Sequence, residues 1–443
     1  MTTAPAPVSP DPPAPTGWRW APWWVLAYVA FWPAARVSEA ILSLGAIVAL
    51  LLLAKARFRH GERLLSHAAW ALTTALFFAY WLPQLFSTFD AIEPARALKK
   101  VLAGLRYLPF LWLVAIAVAT ADGRRKVFGG IVVVMLAWTL DLLVQGVSGG
   151  QASPLNGALD GLYEMVRGKS MCDGQAERGL DRLNGVFGTC NPVLGVLLAS
   201  FSAFVLFAGW RVFGVRGWLL GAVLVGIAVL LAGARASWLT YALVLLFSGW
   251  HVLGWKKLLP LFAGGALVLV ALALVHAPMR ERIERTALLM QGSEAGVNSA
   301  LSGRGRIWSA AGCMIREHPV NGVGVRDFRR AWAGCDPEPG VQPAWGEGPA
   351  LHAHQLLLEI LSETGFLGLF LWLAGAALAW RAWRWATPAA RQRARPAMLA
   401  LGVTTFPFNT HLAFHSAFWG GVFLLLVALY AGSLLARDET VAP

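Results

Sequence analysis

The sequence predicts an all-α polytopic membrane protein, and three observations carry that expectation. Hydrophobic residues make up 57% of the chain, its mean hydropathy is +0.58, and only 14% of its 443 residues are charged, against roughly 25% for a soluble globular domain. Apolar runs of about 17 to 25 residues, long enough to cross a hydrocarbon core, recur along the chain. Lysine and arginine gather in alternate connections between those runs, as positive-inside topology requires.

Twelve runs are expected to span, at about 19–34, 38–54, 66–86, 101–120, 127–146, 190–209, 216–233, 236–254, 257–276, 354–379, 397–413 and 416–435. Residues 1–18 are Pro-rich and lack the basic n-region and small-residue cleavage site of a signal peptide, so they are expected to form a disordered cytoplasmic tail. Nine spans fill 19–276, three fill 353–436, and 437–443 is a short tail.

Orientation follows from the basic clusters. Lys55, Arg57, Arg59 and Arg63 fall between runs two and three, and Arg124, Arg125 and Lys126 between four and five. Arg211 and Arg216 separate six from seven, Lys256 and Lys257 eight from nine, and Arg381, Arg384, Arg391, Arg393 and Arg395 ten from eleven. All share one face, which puts both termini in the cytoplasm. The boundary between runs seven and eight is weak, and fusing them would invert all that follows; the agreement of clusters on both sides argues against fusion. The net charge of +13 is accounted for by this topology and by anionic membrane lipid, with no nucleic acid as partner.

Two large polar insertions, 147–189 and 277–352, then fall on the far side. The second holds nine arginines and no lysine, on the face where few cations are expected. Arginine's planar fork suits bidentate phosphate binding, which points to an anionic ligand. The plainer reading is that acids of the same loop, such as Glu281, Glu284, Glu317 and Asp327, pair with them. All four cysteines, Cys172, Cys190, Cys313 and Cys335, lie in or beside these insertions. Disulfides Cys172–Cys190 and Cys313–Cys335 are the simplest of three pairings in an oxidising compartment, and the spacing does not resemble a zinc site.

Within the second insertion, Ala311, Met314 and Ile315 recur at helical spacing after Arg304-Gly-Arg306, with Ser302 a reasonable N-cap. The helix should stop at His318-Pro319, with Asn321-Gly322-Val-Gly324 as a turn. Its N-terminus would offer Arg304 and Arg306 to an anion; alternatively the helix only packs at the interface. Gly322-Val-Gly324 is no nucleotide loop, because it follows a helix stop and lacks a phosphate-binding lysine. Trp18, Trp20, Trp23, Trp24, Trp380, Trp383 and Trp385 read as an interfacial belt.

Titratable chemistry concentrates where the arginine-rich loop returns to the membrane, at His352-Ala-His354-Gln355. After nine intervening residues, 356–364, comes Gly365-Phe-Leu-Gly368. This arrangement matches the H-[NSQ]-x9-G-x-x-G pattern, and together with the stretch from Arg304 to Gly324 it resembles the O-antigen ligase and polymerase superfamily of bacterial envelope glycosyltransferases. The resemblance implies transfer of a glycan from undecaprenyl diphosphate to an acceptor on the periplasmic face of the inner membrane, the acceptor of a ligase being lipid A–core oligosaccharide. It implies a GT-C-like, inverting, metal-independent enzyme with no cofactor, and neither insertion contains Asp-x-Asp.

The residue types suit that chemistry. Loss of diphosphate needs positive charge on its oxygens, which arginines supply, and a sugar hydroxyl needs a base, for which His354 is the candidate. His352, Gln355, Gly365 and Gly368 are expected to support it. Arg235 sits in Gly233-Ala-Arg235-Ala at a turn between two spans, where a charge is expensive; it and Arg182 both resemble family arginines and join Arg304 and Arg306 as candidates for diphosphate binding. His411 and His415 read as structural. A protein O-oligosaccharyltransferase or a repeat-unit polymerase would share most of these features. A lipid-linked glycan transporter would want charges inside the spans; Asp141 is the clearest, and runs six to twelve look almost free of them.

Overall fold

The computed structural model describes residues 18–60, 64–150, 153–173, 182–275, 280, 284, 303–343, 345–346, 348–410 and 413–436, and among them every regular element is helical. The helices are α1 (Ala21–Ala30), α2 (Ala35–Lys55), α3 (His67–Phe86), α4 (Pro94–Gly104), α5 (Tyr107–Ala117), α6 (Ala121–Val147), α7 (Pro154–Arg167) and α8 (Leu194–Leu231). They continue as α9 (Arg235–Leu253), α10 (Trp255–Val275), α11 (Arg304–Glu317), α12 (Phe328–Cys335), α13 (Leu356–Trp385), α14 (Pro388–Thr404) and α15 (Ala417–Leu434). Seven helical stretches among the described residues are long and apolar enough to cross a membrane. This is a multi-pass α-helical membrane protein.

The core forms around α15, apolar on every side and buried from Trp419 to Leu434, as a helix enclosed by other helices must be. Around it pack α3, α5 and α14. Gly432 lies against Ala115 of α5, where a Cβ would come within 2.7 Å of its Cα. Tyr107 and Tyr80 donate their hydroxyls to the Ala417 and Phe414 carbonyls, at 2.8 and 2.9 Å.

Helix α8 is two antiparallel arms. Gly214 interrupts it with φ 60° and ψ −144°, a conformation that side chains disfavour. Beyond it the chain returns along itself: a Cβ on Gly209 would meet the Gly217 carbonyl at 2.5 Å, and one on Gly195 would meet Ala232 at 2.7 Å. The arms are the expected runs six and seven, and α9 starts afresh at Arg235 after Gly233 (φ 69°). Runs seven and eight are therefore separate helices, as the basic clusters implied.

Three boundaries differ from the sequence expectation. Run four, expected over 101–120, is preceded by the amphipathic α4, and a break at Leu105–Arg106 hands over to α5. Run eleven, expected over 397–413, is helical only to Thr404, with Pro407 close behind to discourage continuation. The cap of α11 is Gly303, in the left-handed region at φ 74°, and Ser302 lies outside the described residues. The expected stop at His318-Pro319 is where α11 ends.

Both simplest disulfides are formed, Cys172–Cys190 and Cys313–Cys335, with Cα–Cα distances of 5.5 and 5.6 Å. The second staples α11 to α12 over a small separate core of Ile307, Ala310, Met314, Phe328 and Trp332. This cap sits on the break in α13. At Gly365 (φ 64°, ψ −167°) that helix doubles back, and the N–H groups of Phe366 and Leu367 donate to the Pro319 and Val320 carbonyls at 2.8 and 3.2 Å. In return Val323 N–H donates to the Ser362 carbonyl at 2.8 Å, so a buried helix break leaves few orphan groups.

A candidate anion site at three helix starts

Three residues singled out from the sequence stand at or beside helix N-termini. Arg235 is the first residue of α9, Arg304 the first of α11, and His354 precedes Gln355, the cap of α13. The first turns of α9 and α11 carry no acidic residue, so their N–H groups and dipoles stay positive toward an incoming anion. Arg182 lies exposed just before the turn 185–187, which is docked on α6 by a Gly185 N–H donated to Gln145 Oε1 at 2.8 Å.

The structure brings these groups together although they lie far apart in sequence. Burial, followed by the charges of Arg235 and Arg182, lowers the pKa of Arg304. Burial, followed by Arg304, lowers that of His354 to about 4. His352 is pushed well below the usual imidazole range, first by burial, then by His354, Arg326, Arg329 and Arg304. Mutually repelling cations gathered at one place favour an anionic occupant. No carboxylate pairs with Arg304 among the described residues.

The motif around His354 is mostly scaffold. Gln355 Oε1 accepts the Leu358 N–H at 2.6 Å, and its Nε2 donates to the Pro407 carbonyl at 3.0 Å. That capping role explains why a short polar-headed side chain suits the position. The nine residues 356–364 form the short arm of α13. Gly365 supplies the reversal, where a Cβ would collide with the Val320 carbonyl at 2.1 Å. Gly368 lets the arms touch: a Cβ there would meet Thr364 Oγ1 at 1.9 Å and Ile360 Cγ2 at 3.5 Å. His354 itself adopts φ 52°, a left-handed conformation that costs of order 1–3 kcal/mol for a non-glycine residue and persists only where surroundings impose it.

Arg306 is a correction. It was a candidate for diphosphate binding, yet its guanidinium is buried and fully engaged. Its Nε and one terminal nitrogen donate to the two Asp336 oxygens at 2.7 and 2.6 Å, and further donors reach the Glu338 and Val341 carbonyls at 2.6 and 3.0 Å. The fork is spent on holding the cap together, as the plainer reading of the loop arginines expected. Arg330 is likewise paired, with Asp327 at 2.6 Å and Glu93 at 2.5 Å.

Other sequence expectations also shift. Asp141 serves structure: its two oxygens accept from Leu155 N–H at 2.9 Å and Ser153 Oγ at 2.7 Å, seating the start of α7. The runs beyond α8 are not free of charge, because Glu359 and Glu363 are both fully buried in α13. Glu363 Oε2 accepts from Arg326 N–H at 2.9 Å and faces His415 Nδ1 at 3.1 Å; Glu359 Oε1 accepts His415 N–H at 3.2 Å. These three side chains present ligand atoms within 4.8 Å of one another, enough for a cation or a shared proton. His411 lies outside the described residues. The i, i+4 spacing of the two glutamates inside an apolar run was the signal available, and Arg326 had none beyond belonging to the loop.

Fold and site together define a multi-pass membrane protein that gathers arginines and an unprotonated imidazole at helix starts, suited to an anionic ligand and proton acceptance. Residues 220–373 match the family model described as O-antigen ligase, so this segment of the chain is similar to that family. No curated protein matches it. The matched segment contains Arg235, Arg304, His354 and the Gly365–Gly368 fold-back.

Proposed function

We propose that this protein is an O-antigen ligase of the bacterial inner membrane, transferring glycan from undecaprenyl diphosphate to lipid A–core oligosaccharide at the periplasmic face. The observation that carries this reading is the gathering of Arg235, Arg304 and Arg182 with His354, the first two at the starts of α9 and α11, whose first turns hold no acid. In the proposed architecture the chain crosses twelve times in a GT-C-like arrangement, with both termini cytoplasmic and the 147–189 and 277–352 insertions periplasmic. The two disulfides suit that compartment.

The step is a single displacement with inversion. The acceptor hydroxyl attacks the anomeric carbon of the donor sugar, forming the new glycosidic bond as the bond to diphosphate breaks. The hydroxyl proton passes to the His354 imidazole, and the electron pair departs on undecaprenyl diphosphate, whose charge Arg304, Arg235 and Arg182 stabilise. His354 enters the reaction neutral, the form a base requires. Diphosphate bound at Arg304 offsets the charge that depresses the imidazole pKa, so the base strengthens when donor is present. General-base help of ~10² to 10⁴-fold corresponds to roughly 3 to 5 kcal/mol.

Complementation separates ligase from polymerase. Expressed in a host lacking its own ligase, the gene restores polymer-bearing lipopolysaccharide; in a host lacking its polymerase it leaves single repeats. The reverse pattern overturns the ligase assignment, and glycosylated protein with rough lipopolysaccharide turns it toward a protein O-oligosaccharyltransferase.

A further inference from the structure

We propose that Arg326, Arg329 and Lys100 form a second anion subsite, beside His352, that takes a phosphate of the acceptor. This rests on the transferase reading above and names what the acceptor must carry.

The arginines of the cap divide into two kinds. Arg306 and Arg330 are consumed by Asp336, Glu338, Asp327 and Glu93. Arg326 and Arg329, on the same stretch of chain, make no side-chain hydrogen bond or ion pair among the described residues. Arg329 Nε is buried with no partner, and so are both ring nitrogens of His352. Leaving buried polar atoms unmatched costs about 1–3 kcal/mol each, more for a charged group; a neutral imidazole carries one N–H, so Arg329 and His352 offer an incoming anion two unspent buried donors.

The backbone holds the cluster in place. Arg326 adopts φ 65°, and its N–H donates to Glu363 Oε2 while the preceding Val325 N–H donates to Ser87 Oγ at 3.2 Å. Asn321 Nδ2 donates to Asp90 Oδ2 at 2.8 Å, and Asp327 Oδ2 accepts Glu93 N–H at 3.0 Å. The loop bearing Arg326 and Arg329 is thus pinned to the segment leading into α4, which carries Lys100. Lys100 lies within electrostatic reach of both arginines, and both act on His352.

The two clusters are distinct. Arg304 answers to Arg235 and Arg182, whereas Arg329 answers to Arg326, with Glu363 and Asp327 in partial opposition. His352 is within electrostatic reach of both, through Arg304 of the first and Arg326 and Arg329 of the second. A donor diphosphate on the first cluster leaves the second facing the approaching nucleophile, where a phosphate near the acceptor hydroxyl would bring that hydroxyl to the base. Partial compensation by Glu363 and Asp327 keeps the subsite weaker than the donor clamp, as suits an acceptor that must leave as product.

Binding to the purified protein in nanodiscs is measured for Arg329→Gln and Lys100→Gln against three probes: phosphorylated lipid A–core, the same lipid after enzymatic dephosphorylation, and undecaprenyl-diphosphate glycan. Lys100 is exposed, so its variant reads the subsite even if Arg329→Gln folds poorly. The expected result is a roughly ten- to hundredfold weaker Kd for the phosphorylated acceptor with Arg329→Gln, a smaller loss with Lys100→Gln, and unchanged Kd for the other two probes. Equal losses on both acceptors, or weakening of the donor, overturns the proposal. Displacement of the acceptor by phosphatidylglycerol in both proteins would assign the cluster to a lipid headgroup and also overturn it. Because Kd needs no turnover, the two readings fail separately: acceptor binding without transfer removes the ligase, and transfer with variant Kd values unchanged removes the subsite.

Discussion

The imidazoles of His352 and His354 stand 3.8 Å apart between ring centroids, inclined at 40°. Two cations cannot share that space beside Arg304, so the pair is held neutral at physiological pH. Burial dominates for both rings.

A pH dependence of stability follows. The folded pKa of His354 is about 4, below the unfolded value of about 6.5, so the unfolded chain binds more protons between these values. Stability is at its full value above pH 6.5 and is lost as pH falls toward 4. The unfolding temperature of the detergent-solubilised protein should fall across that window, and His354→Gln should flatten the decline. A profile for His354→Gln identical to wild type would place the titration elsewhere.

Arg235→Lys and Arg304→Lys keep the charge but lose the bidentate fork. Each should reduce transfer by roughly ten- to hundredfold, the effect of one or two charge-assisted hydrogen bonds, and Lys should outperform Ala at both positions. Steady-state transfer with purified donor and acceptor reads this; wild-type turnover in either Lys variant removes the bidentate role.

Arg306→Ala should act on stability. It leaves Asp336 without its counter-charge, a loss of about 3–5 kcal/mol for a buried pair broken on one side. Replacing both partners, Arg306→Met with Asp336→Leu, should recover much of that loss. Calorimetry of the three proteins, with donor KM measured on whatever remains folded, checks it. A raised donor KM at unchanged stability would return Arg306 to the binding site.

Gly365→Ala should abolish transfer while leaving the chain in the membrane. A methyl group collides with the Val320 carbonyl and the φ of 64° disfavours it, so the fold-back that positions His354 cannot form. Activity and membrane abundance measured together distinguish this from loss of the protein; full activity would mean that the reversal is not needed.

How much of this was legible in the sequence differs between layers. Apolar period and charge placement located the α8 arms and separated α8 from α9, because those signals are local. The extent of α14 was missed, since apolar composition continued past Thr404 where Pro407 had already ended the helix. The candidate site was partly visible: Arg182, Arg235 and His354 stood out near ends of runs, and Arg304 at the start of the helix expected within the second insertion. Arg304 and Arg306 could not be ranked, because the difference lies in Asp336, 30 residues beyond Arg306. Glu363 has a local signal in its i, i+4 spacing from Glu359 inside an apolar run, but its partners, Arg326 and His415, lie on other segments that the spacing does not reveal.

The most direct test replaces the native gene with His354→Ala at matched membrane levels and resolves lipopolysaccharide on a gel. The expected result is loss of all polymer-bearing lipid A–core, with undecaprenyl-linked polymer accumulating behind the block. Unchanged polymer-bearing lipopolysaccharide would contradict the mechanism by removing His354 from it, and collapse to single repeats would contradict the assignment by making the enzyme a polymerase.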